Sequence, residues 1–125
     1  MLLAMSGDAP ETLSPPIGFR WVVKSAYLLL TSGTAVGTRN ASMSRQPINP
    51  TGLPPAYFCA TGNQTGVSTS YTAILQQTNG TGGTVQTQQT AELVIAPSVE
   101  TIAVGAQLLA GDALLWLVVV DEVPA

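Results

Sequence analysis

A chain of 125 residues is the size of one domain, and it can bury about two-thirds of its unfolded surface without help from metals or disulfides. Only 9% of its residues are charged, against about 25% in an ordinary domain, while 46% are hydrophobic; this excludes a disordered polyelectrolyte and leaves Ser, Thr, Asn and Gln to supply the polar exterior. A net charge of −3 and four scattered bases (Arg20, Lys24, Arg39, Arg45) argue against nucleic acid as a partner, and the lack of histidine removes the commonest general base.

Residues 1–18 contain Gly7, Pro10, Pro15, Pro16 and Gly18 and show no sustained period, which predicts an extended arm with at most one short edge strand. Phe19 to Thr31 is the first strong strand, with Phe19, Trp21, Val23, Tyr27 and Leu29 on one parity. Leu28 and Leu30 later join the other parity, so a bulge near Ser25-Ala26, or a second half buried on both faces, is expected. Ser32-Gly33-Thr34 reads as a turn and Val36 to Arg45 as a polar strand. The stretch from Gln46 to Pro55 holds Pro47, Pro50, Pro54 and Pro55, which forbid a helix and mark a long loop.

Ala56 to Thr61 is a short apolar strand, Gly62 to Gly66 a turn, and Val67 to Thr78 another strand. Asn79-Gly80-Thr81-Gly82-Gly83-Thr84 is the clearest hairpin signal, because Asn and Gly tolerate the positive φ of such turns. Val85 to Ile95 follows as a strand, broken by Ala96-Pro97-Ser98. Thr101 to Val104 is short, Gly105 to Asp112 is mixed, and Ala113 to Asp121 closes the chain's strands. At most one helical turn is expected, within Ser98 to Leu109. Seven or eight short strands with Gly, Pro and Asn turns predict an all-β antiparallel sandwich over residues 19–125, a jelly roll first and another Greek key second.

The chemical repertoire is thin. One cysteine and no histidine cannot supply the usual zinc ligands, and Cys59, in Tyr57-Phe58-Cys59-Ala60, reads as a small core residue with no base to activate it. Of the carboxylates, Glu92 and Glu100 flank the Pro97 turn and are the one pair placed to approach each other; solvated surface is the plainer reading. Asp112 or Asp121-Glu122 offers oxygen to calcium but without the dense ligand spacing of a recognised loop. Gly80, Gly82 and Gly83 lack the Lys-Ser/Thr of a phosphate loop. Trp21, Tyr27 and Trp116 are read as core before they are read as a sugar-stacking platform. No catalytic, cofactor or metal residue is therefore expected, and the protein is read as a non-enzyme.

Met1 to Met5 is too short for a signal peptide, and Ala113 to Val120 falls well short of the roughly 20 residues of a membrane helix. No membrane partner is expected, and the Asn-x-Ser/Thr triplets at Asn40, Asn63 and Asn79 read as turn chemistry.

Pro16-Ile17-Gly18-Phe19-Arg20-Trp21-Val22-Val23, followed by Tyr27-Leu28-Leu29, resembles the opening strand of small β-sandwich proteins of tailed-phage virions. Leu109-Ala110-Gly111-Asp112-Ala113-Leu114 is similar to the closing turn of such proteins. The resemblance covers most of the chain in layout and carries no catalytic residues with it. It implies a capsid decoration (cement) protein or a small tail or fibre component without choosing between them. The low charge, the sandwich pattern, the missing catalytic repertoire and the proline-rich arm favour a homo-oligomeric decoration protein on the virion surface, bound to the major capsid protein; the alternative is a tail or fibre component with a carbohydrate- or receptor-binding role. On that reading the arm is the contact: Leu2, Leu3 and Met5, with Pro10, Pro15 and Pro16, are the candidate partner-binding residues, adding a strand to a neighbour's sheet edge. Deleting residues 1–15 is then expected to leave a folded domain with weakened attachment.

Overall fold

The computed structural model describes residues 1–75, 78–81, 84–87 and 93–125, and for 78–81 and 84–87 it describes the backbone alone. The described residues form eleven strands and no helix: β1 (Leu2–Gly7), β2 (Glu11–Leu13), β3 (Phe19–Thr31), β4 (Asn40–Pro47), β5 (Ala56–Ala60), β6 (Ser70–Ile74), β7 (Thr78–Thr81), β8 (Thr84–Thr87), β9 (Val94–Ile95), β10 (Glu100–Gln107) and β11 (Ala113–Pro124). A front sheet runs β1-β11-β3-β6, with β9 also paired to β3, and a back sheet runs β2-β10-β4-β5. All pairings are antiparallel, and the two sheets close on one core.

The topology follows from folding the chain in half. Around the proline-rich connection at 48–55, β4 pairs with β5, β3 with β6, β2 with β10 and β1 with β11. Rolling that doubled ribbon up alternates its pairs between two sheets, which is the jelly-roll winding. Prolines suit the fold-back point because they donate no ladder hydrogen bond. The hairpin expected at 79–84 is present as the pairing of β7 with β8, while its turn and residues 88–92 lie outside the described residues.

β3 and β11 form the spine of the front sheet. In β11 the alternation is regular: Leu114, Trp116, Val118 and Val120 face the core, and Ala113, Leu115 and Leu117 face out. Opposite it, β3 changes parity. Val119 faces Ser25 but Val120 faces Val23, which leaves Lys24 as the extra residue of a β-bulge. Trp21 and Val23 point inward before the bulge, and Ala26, Leu28 and Leu30 after it. The same inversion carries Tyr27 to the outer face, where sequence reading had it in the core. The back sheet contributes Ala41, Met43, Phe58, Cys59, Ile102 and Val104 to the core.

The largest departure from the sequence reading is residues 1–18, which are not a free arm. Leu2–Gly7 lies along β11 as the front sheet's edge, and Glu11–Leu13 lies along β10 as the back sheet's edge. Leu3, Met5 and Leu13 pack against the core from these edges. Gly7 is what admits Trp116: a Cβ at Gly7 would lie 2.7 Å from the indole. The indole N–H reaches on to donate to the Ala9 carbonyl at 2.9 Å, pinning the turn between the two edge strands.

Candidate docking surface

One pair of charged side chains, Arg39 and Asp112, is committed to holding loops. Arg39 is fully buried and spends all five N–H donors. Its Nε and Nη2 donate to the two oxygens of Asp112, each at 3.1 Å. Nη2 also donates to the Ala35 carbonyl at 2.7 Å, and Nη1 to the Gly66 carbonyl at 2.8 Å and the Gly37 carbonyl at 3.4 Å. Asp112 completes its set by accepting the N–H of Gly33 at 2.8 Å and of Leu109 at 2.9 Å. The Arg39 guanidinium, then these two N–H groups, hold the Asp112 carboxyl well below the usual carboxylate range. This clamp ties three loops together at one end of the sandwich. It also fills the oxygens that calcium would need at Asp112, so a cation there would have to displace Arg39.

Three further acids have partners. Glu100 pairs with Arg45 at 3.0 Å, and Glu122 accepts the Trp21 indole N–H at 3.0 Å. Asp121 takes the Met1 amine at 2.9 Å. Glu92, the other half of the candidate carboxylate pair, lies outside the described residues. Among the described residues no three His, Cys, Asp or Glu side chains gather as a metal site. Cys59 is buried, and desolvation pushes its thiol up to about 12.

Both indoles are buried, so neither Trp21 nor Trp116 presents a face for stacking. Tyr27 does, at 40% exposure. It belongs to an apolar surface that the sequence reading missed. Cross-strand register sets Ser6, Leu117, Tyr27 and Ile74 in one row over β1, β11, β3 and β6. Leu115 and Leu29 form the adjacent row with Thr72, and Ala4 and Val119 lie in the row on the other side. Ile74 is 60% exposed, Leu115 54% and Leu117 38%. By the alternation of these strands, Asp121 is the one charged side chain on the outward positions of β1, β11 and β6, at the margin beside Leu2, and β3 adds the exposed bulge residue Lys24, whose charge reaches Asp121. The signal was present in the sequence as a long strand, Ala113 to Val120, apolar at both parities. Reading it as outward-facing needed the register.

At the end of β1 this face deepens into a groove of about 460 Å³, lined by Ser6, Gly7, Asp8, Tyr27, Leu115, Trp116 and Leu117. The groove exists because β1 carries small residues, Ser6 and Gly7, next to the large ones on β11. None of the candidate partner-binding residues lines this groove. Leu2, Pro10 and Pro16 are exposed, Leu3 and Met5 are half-buried against the core, and Pro15 is buried.

No family model, curated protein or solved structure matches the chain.

Proposed function

We propose that the protein is a virion structural protein, a capsid decoration protein that sits on the virion surface and binds the major capsid shell through the outer face of its front sheet. The observation that carries the reading is the exposed apolar face around Ile74, Leu115, Tyr27 and Leu117, on a chain of which only 9% is charged. A contiguous apolar patch on a sheet costs solubility and marks a contact surface. Low charge gives weak self-repulsion, which suits a protein packed at high density on a shell. The sequence resemblance at 16–29 and 109–114 points to the same class. The alternative, a fibre component that binds carbohydrate, ranks second because burial of Trp21 and Trp116 leaves it without an indole platform.

The test is co-sedimentation with assembled capsid shells that lack the protein. Ile74→Glu combined with Leu115→Glu places two carboxylates on exposed positions, so the variant is expected to keep its melting temperature within a few degrees. It is expected to lose shell binding by at least tenfold. Undiminished co-sedimentation of this folded variant would refute the assignment of the face.

A further inference from the structure

We infer that the free edge of β1 pairs with β1 of a second copy of this chain, antiparallel about a twofold axis at Ala4, with Leu2 of each copy seated in the groove of the other. Among the described residues β1 is the margin of the front sheet, paired through β11 alone. Every second residue of such a strand aims its N–H and C=O away from the sheet, ready to template another strand. Edges are ordinarily protected by a charge, a proline or a bulge. β1 has none: its sequence is Leu-Leu-Ala-Met-Ser-Gly, and its register with β11 is continuous. The other early edge strand, β2, shows the contrast, being three residues long with Pro10 before it and Pro15 after it.

The strand is complementary to itself. Leu2, Ala4 and Ser6 point outward, and Leu3, Met5 and Gly7 inward. In the register that sets Ala4 opposite Ala4, Leu2 faces Ser6 and Leu3 faces Met5. Ser6 is small, and it shares a row with Leu117 and Tyr27, two walls of the groove. Leu2 of the second copy, opposite Ser6, therefore enters an apolar recess that β1 itself leaves empty. Leu2 is 65% exposed in the single chain, so the pairing covers a side chain that otherwise lies mostly in water. The inner-face pair, Leu3 opposite Met5, extends the core across the seam. Charge offers no opposition, because residues 2–7 include no ionisable side chain, whereas a charged edge would repel its own copy. An isologous contact of this kind closes after two chains and does not propagate into a fibre.

The groove shares Tyr27, Leu115 and Leu117 with the face assigned to the shell, but the dimer forms without a shell, and its test uses the free protein. Light scattering after size exclusion at micromolar concentration is expected to give twice the mass of one chain. Ser6→Lys, which puts a lysine on the edge and fills the recess, and Leu2→Asp are each expected to give the mass of one chain with an unchanged circular dichroism spectrum. Ala4→Cys adds a thiol at the twofold axis, where facing Cα atoms fall within disulfide reach. Mild oxidation is expected to convert this variant to a covalent dimer, while Thr72→Cys on the far strand stays monomeric. A monomeric parent protein, a dimer that survives both edge substitutions, or equal cross-linking at positions 4 and 72 would each overturn the inference. Ile74 lies on β6 outside the groove, so Ile74→Glu alone is expected to stay dimeric and lose the shell, which separates failure of this inference from failure of the shell reading.

Discussion

Asp112 is where one residue has most influence on the whole. Its two oxygens hold the Arg39 fork and the backbone of Gly33 and Leu109, and neither its side chain nor that of Arg39 has any solvent exposure. Truncating Arg39 would leave a buried carboxylate with half its partners, the costly way to break an ion pair. The acid limb of the stability profile gives a gentler probe. The native carboxyl is held below the range it takes in the unfolded chain, so the ionised form binds to the fold preferentially. That contribution is complete above the unfolded value of about 4 and is lost as pH falls below it. Asp112→Asn is therefore expected to be less stable than the parent at pH 7 and to lose less further stability between pH 5 and pH 2. Urea midpoints across that range measure the slope, and parallel profiles for the two proteins would show that Asp112 titrates without consequence. Little of this was legible in the sequence. Arg39 reads as one of four scattered bases because its acceptors, Ala35, Gly37, Gly66 and Asp112, come from three loops that only the fold brings together.

At the scale of elements, the strong strands were readable and the edge strands were not. Phe19 to Thr31 announces itself through aromatic and branched residues, and even its bulge shows as a change of parity. Leu2–Gly7 and Glu11–Leu13 have no such alternation, since an edge strand is specified mainly by what it lies beside. The difference changes what truncation should do. Removing residues 1–15 takes away both edge strands, the packing of Leu3, Met5 and Leu13, and the acceptor of the Trp116 indole N–H. Burying one large apolar side chain contributes about 1.5–3 kcal/mol, so three half-buried ones amount to several kcal/mol, against about 5–15 kcal/mol of stability for a typical domain. The truncated chain is expected to lose its cooperative urea transition by circular dichroism. A sharp transition near the parent midpoint would instead restore the picture of a dispensable arm.

For the molecule as a whole, the doubled-ribbon winding joins residues from opposite ends of the chain, as Leu2 opposite Asp121 illustrates. Such non-local pairing makes folding slow, on the order of milliseconds to seconds, and makes opening cooperative. Cys59 reports on this directly. It lies on β5, the margin of the back sheet, yet its side chain is in the core beside Phe58 and opposite Met43 in register. A second β-bulge there sets Ser44 against Tyr57 and Met43 against Cys59, which turns Phe58 and Cys59 inward together. The thiol cannot be reached without peeling β5 from β4 and bringing Phe58 into water. With its pKa pushed up to about 12, it also forms almost no thiolate while buried. A thiol reagent such as Ellman's is therefore expected to leave the native protein unlabelled and to label it stoichiometrically in denaturant. Between those limits the labelling rate should rise with urea as steeply as global unfolding does, because exposing Cys59 and losing the sandwich are the same event. Faster labelling with a shallow urea dependence would show instead that β5 detaches alone, and the back sheet would then open separately from the front sheet.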